Sequence, residues 1–138
     1  MPDLPLTGGC LCGGVRYEIT EPLRGASYCH CTRCQRRTGT AASASGHVAP
    51  GSLRILSGED LLRAYTPDDG FSKVFCSACG SAMWSQNPAS PDVAGVRLGT
   101  LDSDPGVRPE SRQFVDFAAP WEPVPDDGLP HYGGARPR

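Results

Sequence analysis

Seven cysteines gathered in three short clusters constrain this chain more than any other feature of its sequence. The clusters occupy residues 10–12, 29–34 and 76–79, and neighbouring cysteines within each are separated by one or two residues. Thiolates at this spacing can bind a single metal ion, and zinc is the ion that such sites typically hold. Seven ligands fit one closed site of four and one site of three with a vacant position. A closed zinc site stabilises a fold, whereas a zinc with three protein ligands can take part in a reaction.

The composition indicates one small domain that benefits from metal cross-links. The chain has 138 residues, of which 38% are apolar and only 7% aromatic, so its core is lean. Its 17 glycines and 14 prolines favour short strands and turns over long helices. We expect a single zinc-binding β domain over residues 1–132 and a disordered tail over residues 133–138. Before that tail, Trp121, Leu129 and Tyr132 are the residues through which an extended, proline-rich segment would dock.

Charge and hydropathy argue against two classes of partner. The formal net charge is −2 and the sequence has no basic stripe, so we expect no nucleic acid partner. No apolar run approaches the ~20 residues needed to span a bilayer, and the first residues do not resemble a signal peptide. We therefore expect a cytoplasmic protein without a membrane partner. In a reducing cytosol clustered cysteines favour metal binding, and an odd number cannot pair completely into disulfides.

Short alternating segments predict a mainly β chain. Val15, Tyr17 and Ile19 alternate with polar residues, which is the pattern of a half-buried strand. The predicted strands are residues 14–19, 24–30, 41–48, 53–56, 72–75, 93–101 and 113–117. Residues 61–65 fit either a helical turn or a bent strand.

One segment has a helix start signal. Thr32 followed by Gln35 fits the capping-box pattern, and Gly39 would end a single helical turn over residues 33–38. Cys34 would then lie near the positive end of a short helix. The helix dipole would favour its thiolate form.

Spacing alone leaves two groupings of the cysteines open. A zinc ribbon would join Cys31 and Cys34 to Cys76 and Cys79, since both pairs have the C-x-x-C spacing. The alternative keeps the central cluster on one ion and places the other four cysteines on a second. Cys29 and Cys31 lie two apart on an extended strand and share a face, and Cys34 returns to that face one helical turn later. This local geometry favours the second grouping without excluding the first.

Several stretches of the chain resemble one known family. They are GGCLCGGVRY at 8–17, CHCTRCQRRTGT at 29–40, FCSACGS at 75–81, and APW at 119–121 followed by LP at 129–130. On these motifs the chain resembles the glutathione-dependent formaldehyde-activating enzyme family, which also includes centromere protein V. The likeness covers roughly residues 7–132 and keeps the three cysteine clusters in order.

The resemblance implies a fold, two zinc ions per chain and a division of the ligands. The implied fold is a small, mainly β, zinc-bound domain of the β-tent type, similar to a folded β-sandwich, with short helical turns. The residues that match the ligands of the structural zinc are Cys10, Cys12, Cys76 and Cys79. Those that match the ligands of the catalytic zinc are Cys29, Cys31 and Cys34.

The resemblance also implies a reaction, that of a zinc-dependent carbon–sulfur lyase similar to S-(hydroxymethyl)glutathione synthase. The expected partners are a small thiol, such as glutathione, and an aldehyde, such as formaldehyde. The sequence leaves the oligomeric state open, and a homo-oligomer is one of the alternatives. Candidates for binding a carboxylate of the thiol are Arg33, Arg36 and Arg37, whose alternative is a solvated face. His30 is a candidate for proton transfer. Its position between two ligands on a strand favours instead a hydrogen-bonded histidine that faces away from the metal.

A second class of function is a non-catalytic scaffold or binding module stabilised by zinc. A fourth protein ligand at the three-cysteine site would favour it. A vacant position in an accessible cleft would favour the enzyme.

Overall fold

Ten β-strands and one short helix form the regular structure of residues 2–137, which a computed structural model describes. Predictions that include Met1 and Arg138 extend outside these residues. The strands are β1 (Leu6–Gly9), β2 (Arg16–Ile19), β3 (Ala26–Cys29), β4 (Ser43–His47), β5 (Leu53–Ser57), β6 (Leu62–Tyr65), β7 (Ser72–Cys76), β8 (Ala82–Gln86), β9 (Val93–Arg97) and β10 (Pro109–Gln113). The helix α1 covers Thr32–Thr38, and three 3-10 turns cover Glu59–Leu61, Leu98–Thr100 and Val115–Phe117.

The strands form two sheets with a shared core. One sheet has the order β1-β2-β5, and the other has the order β10-β3-β4-β9-β8-β7-β6. Neighbours are antiparallel, except that β10 runs parallel to β3. Tyr17 of the small sheet meets Trp84 of the large sheet edge to face, with ring centroids 5.6 Å apart. The prediction of a mainly β single domain is confirmed.

Strand β2 shows why the alternating pattern predicts burial correctly. Tyr17 and Ile19 are fully buried, while Arg16 and Glu18 on the opposite face remain partly exposed. Successive side chains of a strand point to opposite faces, so the apolar half of the pattern packs into the core. Burial of these two side chains stabilises the fold by about 1.5–3 kcal/mol each.

The prediction of a last strand over residues 113–117 is wrong. The strand β10 ends at Gln113, and Val115–Phe117 forms a 3-10 turn that starts after Phe114, whose φ is 56°. The residues that β10 buries are Ser111 and Arg112. Because they are polar, hydrophobic alternation does not mark this strand. The sequence prediction also lacks strands β1 and β8. Residues 61–65, which the sequence left open between a helical turn and a strand, contain the end of a 3-10 turn followed by the strand β6.

The C-terminal segment lies along β10. Arg112 donates its backbone N–H to Pro130 and accepts from Tyr132, both at 2.9 Å. Farther on, Gly134 accepts from the backbone N–H of Phe114. Tyr132 therefore docks through its backbone. Gly134 does the same, although it belongs to residues 133–138, for which the sequence predicts disorder.

Trp121 does not dock as the sequence predicts, because it is 66% exposed. The hydrogen bonds of the neighbouring backbone, and not this indole, hold the segment. No helix within residues 2–137 combines the length and the apolar character that crossing a bilayer requires.

Candidate metal centres and the adjoining groove

Four cysteines from two distant parts of the chain meet where the two sheets come together. Cys10 and Cys12 follow β1, Cys76 ends β7, and Cys79 lies in the turn after it. Their sulfurs all lie within 4.8 Å of one another. The Sγ of Cys12 is 3.5 Å from that of Cys10 and 4.0 Å from that of Cys76. A tetrahedral zinc with Zn–S bonds of about 2.3 Å separates its sulfurs by about 3.8 Å, so these residues fit a closed zinc site.

Backbone and hydroxyl groups support the thiolate form of Cys10 and Cys79 in this cluster, whereas Cys12, despite a hydrogen bond with the Gly14 backbone, has its pKa raised to about 11 by Cys10 and Cys79. The N–H of Val15 donates to the Sγ of Cys10 at 3.2 Å. Burial raises the pKa of Cys10, but this hydrogen bond and those from the neighbouring thiols of Cys12 and Cys76 lower it overall. The side chain of Ser81 lies 3.3 Å from the Sγ of Cys79 and lowers the pKa of that thiol to about 5. Charge-stabilised sulfurs bind a cation more readily than thiols do.

The other three cysteines form a second cluster at the end of β3. Cys29 is its last residue, Cys31 caps α1, and Cys34 lies in the first turn of the helix. Their sulfurs lie within 4.8 Å of one another, and no other histidine, cysteine or carboxylate of residues 2–137 joins the group. This is the division of the cysteines that the family resemblance implies. The zinc-ribbon grouping would need sulfurs from both clusters in one site.

The helix begins in a different way from the capping-box prediction. Cys31 is the N-cap, and its Sγ accepts from the N–H of Cys34 at 3.4 Å, while Thr32 is the first helical residue. The side chain of Gln35 donates to the carbonyl of His30 instead of capping the helix. A sulfur that accepts the N–H of the first turn replaces the predicted hydroxyl. Gly39 ends the helix as predicted, with φ of 70° in the left-handed region.

Charge is shared unequally within the three-cysteine cluster. Hydrogen bonds from Cys29 and Cys31 lower the pKa of Cys34. The corresponding bonds raise the pKa of Cys29. Three thiolates side by side would repel one another, so the cluster requires a cation to hold all three deprotonated. Zinc fits this donor set.

His30 faces away from the sulfurs into a buried polar network. It is 4% exposed, and its Nε2 lies 3.2 Å from the Nη1 of Arg112. A guanidinium can only donate, so Nε2 accepts and this nitrogen carries no proton. Arg112 also donates through Nε and Nη2 to Asp127, at 3.1 and 2.8 Å, and stacks 4.2 Å from the ring centre of Tyr28. Burial, together with the charge of Arg112, lowers the pKa of His30.

The three arginines of α1 differ in their surroundings. Arg33 forms an ion pair with Asp69 at 2.7 Å, which ties the helix to the loop after β6. Arg37 is half-buried and donates to the backbone carbonyls of Val74 and Trp84. Arg36 is exposed. All three are among the residues that line one groove.

The groove has a cavity volume of about 470 Å³ and lies between α1 and the outer face of β6, β7 and β8. Its other lining residues are Tyr65, Pro67, Lys73, Phe75, Gly80 and Ala82. Lys73 and Phe75 alternate with buried residues along β7, so both side chains face the helix. Cavities of this size accept small-molecule ligands.

Sequence reasoning missed Lys73 and Arg97 as neighbours of the three-cysteine cluster. The charge of Arg97 helps to lower the pKa of Cys34. Burial lowers the pKa of Lys73, and the negative charge of Cys34 acts against this shift. Arg97 donates through Nη1 to Ser45 at 2.8 Å. The one available signal was that Lys73 is the only lysine of the chain, and its position beside α1 depends on strand pairing.

Fold and sites together define a mainly β protein with two cysteine clusters whose geometry suits metal ions. The family described as "Glutathione-dependent formaldehyde-activating enzyme" matches residues 5–116. The chain therefore belongs to the glutathione-dependent formaldehyde-activating enzyme family.

Two relatives support this assignment. A protein of Halomonas elongata that is named after the same family is 28% identical over 111 residues, which cover 76% of this chain and 71% of the relative. The crystal structure of a Rhodobacter sphaeroides protein superposes with a TM-score of 0.58 at 26% identity. It covers 91% of this chain and 98% of its own.

Proposed function

We propose that this chain is a zinc-dependent carbon–sulfur lyase that acts on the adduct of a small thiol and an aldehyde. The observation that supports it most is the three-cysteine cluster, which no fourth ligand atom from residues 2–137 completes. A zinc held by three protein ligands keeps a position for a substrate sulfur. Glutathione and formaldehyde are the first candidates, because the chain belongs to a family named for them.

The reaction needs one bond to form and one proton to move. The thiol sulfur attacks the aldehyde carbon, a carbon–sulfur bond replaces the π bond of the carbonyl, and the thiol proton ends on the carbonyl oxygen. Cleavage is the reverse, and neither direction needs an oxidant or a reductant. Bound zinc would lower the pKa of the thiol and so supply the thiolate at neutral pH.

The residues of the chain would divide the work between holding the ion and holding the substrate. Cys29, Cys31 and Cys34 would hold the catalytic zinc, and the groove beside them would orient the thiol through its carboxylates. Arg36 and Arg37 supply the cations for this purpose. His30 would position the strand that carries Cys29, since its Nε2 is engaged with Arg112.

The second zinc would be structural and would be held by the four-cysteine cluster. A reducing, cytoplasmic location is part of the proposal, since seven free thiols would otherwise be prone to oxidation.

Zinc analysis combined with an adduct assay tests the proposal. The full chain should contain two zinc ions and cleave S-(hydroxymethyl)glutathione, with ¹³C-formaldehyde release followed by NMR. Cys34→Ser should retain one zinc and its fold while losing activity, because only the three-cysteine site is disturbed. Thr32→Ala, an exposed neighbour that leaves every sulfur in place, serves as the control. Unchanged zinc content or unchanged activity in Cys34→Ser would contradict the proposal, and a zinc-loaded chain without any activity would favour the scaffold.

A further inference from the structure

We propose that Lys73 is a second reactive centre, an amine nucleophile that captures small aldehydes in the groove as a reversible covalent adduct. Lys73 has no role in the proposed function, in which the aldehyde reacts directly with the thiol. Capture by the amine needs neither the thiol nor a metal ion, so it is tested independently of the lyase reaction. Formaldehyde is the smallest aldehyde of this class.

Lys73 is placed on a wall of the groove by the pleat of β7. Alternate residues of that strand are buried, and Lys73 lies on the opposite face, which looks toward α1. Its partners in the two adjoining strands are Tyr65 of β6 and Ser85 of β8. Lys73 is the only lysine of the chain, so the lining of the groove holds a single primary amine.

The ammonium form of Lys73 has no acidic partner that would stabilise it. None of the nine residues that line the groove is acidic. The ion pairs found within residues 2–137 do not include Lys73. A carboxylate beside a lysine favours its charged form, which cannot attack a carbonyl carbon. The groove lacks this obstacle.

Burial and two guanidinium groups favour the neutral amine. Burial lowers the pKa of Lys73, and the charges of Arg37 and Arg97 lower it further. The thiolates of Cys34 and Cys31 act in the opposite direction, and a zinc ion held by them would cancel part of their charge. Desolvation and neighbouring cations are the two means by which proteins activate a lysine as a nucleophile.

The other side chains around the groove leave this amine accessible without neutralising it. Arg33 and Arg36 of α1 add positive charge, and Arg33 is paired with Asp69, outside the lining. Tyr65 and Phe75 contribute aromatic surface, which solvates an ammonium group less well than water does. A cavity of about 470 Å³ admits a small aldehyde beside the amine.

Capture is balanced without an oxidant or a reductant. The nitrogen lone pair attacks the carbonyl carbon, a carbon–nitrogen bond replaces the π bond, and one proton moves from nitrogen to oxygen to give a carbinolamine. Loss of water from the carbinolamine gives an imine, and addition of water returns the aldehyde and the free amine. The groove would thereby hold the aldehyde beside the three-cysteine cluster, close to a thiol bound there.

Reductive trapping measures the capture. With ¹³C-formaldehyde and cyanoborohydride, each imine becomes a ¹³C-methylamine, and peptide mass spectrometry of the zinc-loaded full chain gives the rate at each lysine. Arg54→Lys supplies a reference lysine in the same molecule, since position 54 is exposed on β5 in the other sheet. Near neutral pH we expect Lys73 to be labelled several-fold faster than this reference. An equal or lower rate at Lys73, or no label there, would overturn the inference.

Two charge variants in the Arg54→Lys background separate activation of the amine from simple access to it. Arg37→Gln and Arg97→Gln each remove a cation that favours the neutral amine, so Lys73 should be labelled more slowly relative to the reference lysine. Arg108→Gln, at an exposed position, is the control and should leave the ratio unchanged. Circular dichroism would show which variants are folded. An unchanged ratio in a folded Arg37→Gln or Arg97→Gln variant would refute activation by charge.

The adduct assay on the same samples separates aldehyde capture from the proposed function. Preferential labelling of Lys73 without cleavage of S-(hydroxymethyl)glutathione would support capture and refute the lyase assignment. Cleavage of the adduct without preferential labelling of Lys73 would leave the lyase assignment standing and refute capture.

Discussion

Replacement of Arg112 by lysine tests how strongly the C-terminal segment holds the strand that carries the three-cysteine cluster. Arg112 is 9% exposed and joins Asp127, His30 and Tyr28 through one planar guanidinium. Lysine keeps the charge but offers a single ammonium, which cannot reach Asp127 and His30 together. The variant therefore leaves a buried acceptor or a carboxylate without its donor.

The expected loss follows from the bonds that disappear. An unsatisfied acceptor on buried His30 costs about 1–3 kcal/mol, and the weakened charged pair adds to it. We expect Arg112→Lys to lower the free energy of unfolding by about 2–4 kcal/mol. For a chain of 138 residues the unfolding entropy is about 0.3 kcal/mol/K, so Tm should fall by about 7–14 °C. Thermal unfolding of the zinc-loaded protein, followed by circular dichroism, measures this shift.

An exposed pair in the same chain provides the matched control. Arg108 pairs with Asp104 at 2.7 Å, close to the 2.8 Å between Arg112 and Asp127. Its side chain is 71% exposed, against 10% for Arg112. Solvent screens an exposed pair, so Arg108→Lys should not change Tm beyond the error of the measurement. Equal shifts in the two variants would refute the reasoning, because burial would then have no effect.

Two further predictions concern the four-cysteine cluster and the pH dependence of stability. Cys79→Ser should unfold the chain or leave it insoluble, since a structural zinc contributes about 10–16 kcal/mol of apparent binding free energy. The control is Ser77→Ala, at an exposed position between Cys76 and Cys79, which should keep two zinc ions and a native circular dichroism spectrum. A soluble Cys79→Ser variant with full zinc content would contradict the assignment. Burial, with the charge of Arg136, lowers the pKa of His47 below 6.5. As the pH falls, the unfolded chain therefore takes up a proton on His47 before the folded chain does, and the free energy of unfolding should decrease as the pH drops through 6.5. His47→Gln removes this contribution, so its Tm should decrease less than that of the unchanged chain between about pH 7.5 and 5.5; equal decreases in the two proteins would argue against it.

Several features follow from the sequence because they depend on neighbours along the chain. The strand around Tyr17 and Ile19 was predicted from alternation, since the pleat of a strand separates the two faces whatever it pairs with. Gly39 ends α1 because few other residues adopt its left-handed backbone conformation easily. The cysteine motifs indicated the family for the same reason, as their spacing is a local property.

Other features depend on which strands become neighbours, and local patterns do not carry that information. The strand β10 buries Ser111 and Arg112. Arg112 stabilises the fold through its hydrogen bonds to His30 and to Asp127 of the C-terminal segment. Cys31, and not Thr32, caps the helix because its sulfur accepts the N–H of Cys34. No periodicity in the sequence marks either arrangement.

The sequence by itself determined a small β domain of this family, with seven thiols in short-range motifs whose spacing suits metal binding. Residue spacing could not choose between two groupings of those thiols, because each motif is compatible with several partners. The tertiary structure made the choice, since it gathers the cysteines after β1 and at the end of β7 into one cluster and those around the start of α1 into another. The pairing of β6, β7 and β8 also brings Lys73 of β7 opposite the arginines of α1. Contacts between residues far apart in the chain are set by how whole sheets assemble, and tertiary structure alone decides them.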